Sequence, residues 1–270
     1  MITAQLNFRD GKKKALILPT GFDELTDEQF VRCIELIKAA EIDPAIQWRL
    51  LMYVSGITYQ DLKILNGVQR VELLLQLAFL FDLKGLPHKS KIPPFKVATQ
   101  DGQVSMAGPG DTIKHLTFGE FVMAEGRLEA WEKTGDVTML NQLCGVLYRP
   151  QDPERQKQQD KRVPYSEGTV AYYGTLFEKV GDALKQAILL NYFGATQYLP
   201  RMYPNVFPAP KNEASEKMQV KEPRKSVSLS WLNMLFRTAE WDVTRIKSTE
   251  QTSMHTVLFG FNDMMQANKK

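Results

Sequence analysis

The sequence predicts an α+β chain that is mainly α: a helical body with two β-hairpins and extended arms. Three observations predict it. Along most of the 270 residues, apolar side chains recur at steps of three and four, the period of one helix face. Two short apolar segments are instead split by Asp10-Gly11 and Asp101-Gly102, the residue types a tight hairpin turn needs. Finally, residues 116–122, Leu-Thr-Phe-Gly-Glu-Phe-Val, share their grammar with residues 25–31, Leu-Thr-Asp-Glu-Gln-Phe-Val, ninety-one positions earlier. Thr26 with Gln29, and Thr117 with Glu120, are capping boxes. Leu25 with Phe30, and Leu116 with Phe121, are the hydrophobic staples that set the chain's entry angle.

Taken in order, residues 2–8 and 15–18 form the first hairpin around a turn at residues 9–12, and Pro19 ends it. The first capped helix, residues 27–40, sets Phe30, Ile34 and Ile37 on one face with Cys33 beside them. Pro44 opens a second helix whose inner side is Trp48, Leu51, Met52 and Val54. Thr58, with Asp61 three residues on, starts a short third. Residues 73–83 read as the most apolar helix of this half. The stretch 71–83 is interrupted by Glu72, Gln76 and Asp82 and falls short of the roughly 20 residues of a bilayer span, so it is expected as a buried helix and no membrane contact is expected.

Between Asp82 and Asp101 there is no acid, whereas Lys84, Lys89, Lys91 and Lys96 occur together with Pro87, Pro93 and Pro94. This is an expected exposed basic loop and the candidate phosphate contact. A second hairpin follows at residues 95–107. Aligning Asp10-Gly11 on Asp101-Gly102 uses the same offset as aligning the two helix starts, so a hairpin–helix unit is a candidate internal duplication. The second stapled helix begins at Phe118, and residues 139–147 form the next, closed by Tyr148-Arg149-Pro150.

Residues 151–162 have no apolar side chain except Pro153 and are expected outside any core, as a linker or arm. Residues 170–193 return to helical spacing with more apolar positions than one stripe holds, which predicts a helix buried on several sides. Residues 198–210 contain four prolines, which argue against helix and for an extended strap. Its Tyr198, Leu199, Met202, Tyr203, Val206 and Phe207 are too large and apolar to stay in water and form the candidate interface. Residues 211–226 are a second polar linker, and a helical pair, residues 231–241 and 242–265, closes the chain. The expected organisation is therefore residues 1–86 and 87–150 as two hairpin-plus-helix units, 151–165 a linker, 166–210 the buried helix and strap, 211–226 a linker, and 227–270 the C-terminal helices.

Composition narrows the function classes. With 43% hydrophobic residues the chain has material for a core, and 34 basic against 31 acidic residues give a net +3, too near neutral to mark a nucleic-acid binder. Cys33 and Cys144 lie in apolar helical patterns and read as buried hydrophobes, which fits a reducing compartment. The N-terminus lacks the basic and apolar regions of a secretory signal.

Catalytic patterns are missing. His88, His115 and His255 stand at no metal-ligand spacing, so no metal or other cofactor is expected. Gly108-Pro109-Gly110-Asp111 reads as a turn, because a proline stands where a phosphate loop needs an N–H. Glu120 and Glu125 share a helix, yet capping explains the first and solvation the second. The expectation is a non-enzymatic protein that works through protein contacts.

The helix start at residues 116–122, the Leu147-Tyr148-Arg149-Pro150 end with its charged continuation, and the aromatic-rich last helices resemble small uncharacterised proteins of tailed bacteriophages, including those of Bacteroidota hosts and crAss-like phages. The resemblance covers residues 116–165 and the C-terminal helices and carries no catalytic residue. It implies a virion protein assembled in the host cytoplasm, either a ring or adaptor at the head–tail connection or a tail-assembly chaperone. Expected partners are further copies in a cyclic homo-oligomer and other virion proteins. A polar arm, 151–162 or 211–226, is expected to cross to a neighbour. An intracellular nucleic-acid-binding protein is the remaining alternative.

Overall fold

The computed structural model describes residues 1–7, 13–40, 43, 45–207 and 227–268. The first hairpin's turn and the polar segment 211–226 lie outside them. Of the described residues 62% are helical and 11% lie in strands, so helix packing carries most of the core and the fold is α+β, mainly α. Its contacts divide it into two compact units, residues 1–93 with 181–195 and residues 94–180 with 196–270.

In the first unit β1 (Ile2–Asn7) and β2 (Lys13–Leu18) pair antiparallel, Ile2 opposite Leu18. Alternation puts Leu16 and Leu18 inside and leaves Ile17 exposed. A 3₁₀ turn at Phe22–Glu24 leads into α1 (Asp27–Ala40). The Thr26 hydroxyl accepts the Gln29 N–H at 3.1 Å while Gln29 accepts the Thr26 N–H at 3.0 Å, and Leu25 and Phe30 are buried as the staple requires. Helix α1 packs on α2 (Ile46–Ser55), which ends at Gly56 in the left-handed region, φ 68°. Cys33 is buried and free, and burial pushes its thiol up to about 12. In the capping box of α3 (Tyr59–Ile64), Asp61 also accepts Lys14 Nζ at 2.7 Å, tying the hairpin to the helix.

The expected buried helix at residues 71–83 is different in the structure. Helix α4 (Gly67–Leu75) starts earlier, at an Asn66–Gln69 capping box, and short 3₁₀ turns at Ala78–Phe81 and Leu83–Gly85 follow it. The segment has more apolar residues than one face can bury: Leu73, Leu77 and Leu80 go inside at steps of four and three, and Val71, Leu75, Phe81 and Leu83 are exposed.

In the second unit β3 (Phe95–Thr99) and β4 (Gly102–Ala107) pair around a turn in which Gly102 adopts φ 129°. β5 (Arg149–Pro150), which the sequence reading lacks, adds to β4. Helix α5 (Phe118–Thr134) repeats the capping box and staple, followed by α6 (Val137–Leu147). Hairpin, 3₁₀ turn, capped helix and second helix thus recur in the same order in the two units. Their surroundings differ: α5 also carries the C-terminal helices.

The single helix expected at residues 170–193 is two, α7 (Val170–Phe177) and α8 (Asp182–Met202). Gly181 weakens the helix interior and Asp182 suits a first turn, so the break covers residues 178–181 and the new helix starts at Asp182. Glycines let α6 and α7 touch: a Cβ on Gly145 would stand 2.9 Å from Gly174 N, and one on Gly174 2.9 Å from Gln142 Cγ.

Nor does helix stop before residue 198. Pro200 sits in the last turn of α8 and forfeits one backbone bond, but Leu199 and Tyr203, one turn apart, are both buried, and the Tyr203 N–H donates to Leu199 O at 2.8 Å. The C-terminal pair is three helices, α9 (Val227–Thr238), α10 (Val243–Gln251) and α11 (Met254–Ala267). Their extra break at residues 252–253 frees backbone to pair with the entry of α5: Phe118 N–H donates to Thr252 O at 2.8 Å and Met254 N–H to Leu116 O at 3.0 Å.

Candidate functional site

The second unit concentrates its charge chemistry where three segments meet: the start of α5, the end of α6, and the polar segment after β5. Glu120, 1% exposed, accepts the Thr117 N–H at 2.9 Å as the return half of its capping box. The same carboxylate accepts Arg149 Nη2 on one oxygen and Arg162 Nη2, at 3.3 Å, on the other. Capping and charge pairing thus share one side chain.

Both guanidinium groups are buried, and both also hold backbone carbonyls. Arg149 donates from Nη1 to Val146 O at 2.7 Å and from Nε to Val163 O at 2.9 Å, and its cation lies 5.7 Å from the centre of the Tyr165 ring. Arg162 donates to Leu147 O at 3.0 Å and His115 O at 2.7 Å, and takes Asp160 in a fork, Nε at 2.9 Å and Nη2 at 3.0 Å. Two cations face two carboxylates, so the knot is neutral within itself, the condition under which buried ions are tolerated.

The titration behaviour follows. Burial pulls Arg149 below its ordinary value, and the neighbouring Arg162 cation adds to this, together outweighing Glu120 and the more weakly felt Asp160. Arg162 suffers the same burial, but Glu120 and Asp160 together hold it above. Burial acts to raise Asp160, yet the hydrogen bonds and charge of Arg162 win and keep it below the usual carboxylate range. Burial lowers His115 despite the nearby Asp160.

The segment expected as a linker, residues 151–162, stays at the surface except at its end, where Arg162 goes into the core, and it is not a free arm. Gln151 N–H donates to Ser105 O, Asp152 N–H to Lys161 O and Val163 N–H to Pro150 O, each at 2.8 Å, so the segment closes as a loop on its own unit, and Arg162 is fully buried. Most of the loop stays exposed, as its polar composition requires, and only Arg162 enters the interior, its charge taken up by Glu120 and Asp160.

Beside the knot opens a cleft of about 1090 Å³. Val122, Met123, Leu232 and Leu235 supply its apolar lining, and Tyr165, Glu167, Lys247 and Glu250 its polar one. Burial, with the charge of Glu167 behind it, raises the Glu250 carboxyl, and burial also raises the Tyr165 hydroxyl. Among the described residues no group of three or more His, Cys, Asp or Glu is placed to hold a metal ion. The arrangement braces three segments and offers a mixed surface. Glu120, which a catalytic reading would need as an acid or base, is spent on the cap and two arginines.

The residues singled out in the sequence lie elsewhere. Leu199 and Tyr203 are buried, Tyr198, Val206 and Phe207 are half-buried, and Met202 is exposed. The Tyr203 hydroxyl lies 2.7 Å from His255 Nδ1, whose Nε2 lies 3.1 Å from Thr112 O, and Phe207 packs on Trp231 at 5.5 Å. Much of the strap is thus held by its own unit; residues 208–210 lie outside the described residues.

The basic loop is not uniformly exposed either. Lys91 is buried, its Nζ donating to Asp23 O at 3.0 Å and Leu25 O at 2.7 Å, so it satisfies carbonyls where a helix begins and is closed to phosphate. Asn191 of α8 fixes the loop around it, accepting the Lys91 N–H at 3.0 Å and donating to Pro87 O and Lys89 O. Lys89 and Lys96 are exposed, Lys96 on β3 of the other unit; Lys84 lies in a 3₁₀ turn, its side chain outside the description.

Sequence reasoning missed Arg149, Asp160, Arg162 and Tyr165, since periodicity marks only apolar burial. No protein-family model, curated protein or solved structure matches the chain. Among the described residues no helix is long and apolar enough to cross a membrane.

Proposed function

We propose that this chain is a non-catalytic structural subunit of a tailed-phage particle, a ring or adaptor at the head–tail connection that works as a cyclic homo-oligomer. The observation that carries the non-catalytic part is how the buried charges are used: Glu120, Arg149, Arg162 and Asp160 are taken up in hydrogen bonds within the unit. Such a knot makes a rigid platform. Large apolar side chains that face solvent, among them Trp241, Val243 and Phe259, supply contact surface for assembly. The phage context rests on the sequence resemblance.

A tail-assembly chaperone is the second reading, and one observation favours it: residues 151–163, which a ring subunit would extend to its neighbour, fold onto their own unit. Mass spectrometry of purified particles separates the two. A ring subunit is present in finished particles in fixed stoichiometry; a chaperone is abundant in infected cells and missing from particles. A nucleic-acid-binding protein would show affinity that falls steeply with salt, and the burial of Lys91 takes away one of the four lysines on which that alternative relied.

A further inference from the structure

The turn between α9 and α10 breaks two local rules at once. Glu240 and Trp241 both adopt left-handed backbone, φ 53° and 59°, which is rare for residues with side chains of this size. The residue so placed is a tryptophan, 65% exposed, its ring lying flat on Phe236 at a centroid distance of 5.5 Å, with Val243 beside it 79% exposed. The turn closes α9, the Trp241 N–H donating to Phe236 O at 2.9 Å, yet it leaves most of the ring in water, and exposed tryptophans are the side chains that anchor interfaces.

Next to this knob is a hole. A groove of about 1090 Å³ is lined from α9 and α11 by Met234, Val257, Phe261, Met264 and Met265, flexible side chains that adapt to an inserted ring. Gly260 also lines it, and a Cβ built there meets nothing within 4 Å. Arg237 on the groove wall makes no ion pair among the described residues, whereas Trp241 is flanked by two acids, Glu240 paired with the exposed Arg245, and Asp242 paired with Arg245 and capping α10 through the Thr244 N–H and hydroxyl. Acid-flanked knob and cation-bearing hole are complementary. Glu240 belongs to both, so the two lie side by side on one face, as a contact across a two-fold axis requires.

We propose that this face binds a second copy of the chain, Trp241 of each copy entering the α9–α11 groove of the other. The proposal rests on the part of the reading above in which copies of the chain associate; a two-fold contact closes at two copies, so this face pairs two chains and is distinct from the head-to-tail contact that would close a ring. The test is sedimentation of the full chain as wild type, Trp241→Ala, Gly260→Leu, and an equimolar mixture of the two variants. Gly260→Leu fills the groove from open space and favours helix, so it blocks docking without disturbing the fold. Each variant alone is expected to lose self-association by about 30-fold or more. The mixture, in which one variant keeps the knob and the other the groove, regains one contact and associates.

Wild-type self-association unaffected by either variant, or no recovery in the mixture, overturns the docking face and leaves self-assembly standing. A wild-type chain that stays monomeric to about 100 μM overturns both. Loss of the far-UV CD signal in either variant would assign these side chains to the chain's own core and overturn the proposal too. Particle mass spectrometry addresses the phage role independently.

Discussion

Replacing Arg162 with methionine tests whether the knot braces the second unit. The change keeps much of the apolar stem and removes the cation and its donors to Leu147 O, His115 O, Glu120 and Asp160. Removing one partner of a buried ion pair costs about 3–5 kcal/mol. Two features place this case at the lower end. Glu120 keeps Arg149 and the Thr117 N–H, and the Asp160 side chain, 20% exposed, can recover water. The lost donors to the two carbonyls, at about 1 kcal/mol each, are contained in that figure. The expected loss is therefore about 3 kcal/mol.

Urea unfolding followed by tryptophan fluorescence reads it, since Trp131, Trp231 and Trp241 lie in the second unit and only Trp48 in the first. With a slope of about 1–3 kcal/mol/M the midpoint falls by roughly 1–3 M. Arg155→Met is the control: this half-buried arginine bonds Gln158 and Arg162 O, and its loss should cost no more than about 1 kcal/mol. Equal effects for the two arginines, or a loss at Arg162 below about 1 kcal/mol, would show that the knot is solvated and refute the reasoning.

Four further outcomes are expected. Gly145→Ala and Gly174→Ala each destabilise by about 1–3 kcal/mol in thermal melts, because the added methyl meets the facing helix closer than carbon atoms pack. Tyr203→Ala lowers stability by about 3 kcal/mol, since it empties a buried site and removes the His255 contact; an unchanged melt with impaired assembly would return Tyr203 to an interface role. Asp160 is held below its ordinary pKa, so its contribution is complete above the unfolded value near 3.8 and is lost as pH falls through the lower folded value; Asp160→Asn should flatten the acid limb of the stability profile there. Glu250 is shifted the other way, so its charge destabilises at neutral pH. Glu250→Gln should stabilise by a few tenths of a kcal/mol at pH 7 after solvent screening, with the gain fading as pH falls below the raised value.

Legibility in the sequence followed the range of each interaction. The capping boxes at Thr26, Thr58 and Thr117 formed where the residue types placed them, because cap and return partner are three positions apart and need no knowledge of the rest of the chain. The hairpin strands and the left-handed Gly102 were legible for the same reason. Mainly helical packing followed from apolar spacing alone.

What tertiary structure decided was which charges go inside. Glu120 meets Arg149 and Arg162 across 29 and 42 residues, and Lys91 meets Leu25 O across 66; nothing near these residues distinguishes them from solvated neighbours. The same holds for Pro200, kept helical by the burial of Leu199 and Tyr203, and for the apolar run of α4 and its following turns, of which only one stripe found a surface to bury against. A pattern of side chains states what can be buried cheaply. Burial of a charge is settled by the donors, acceptors and countercharges that distant segments bring to it, because an ion leaves water at tolerable cost only when all of them arrive together.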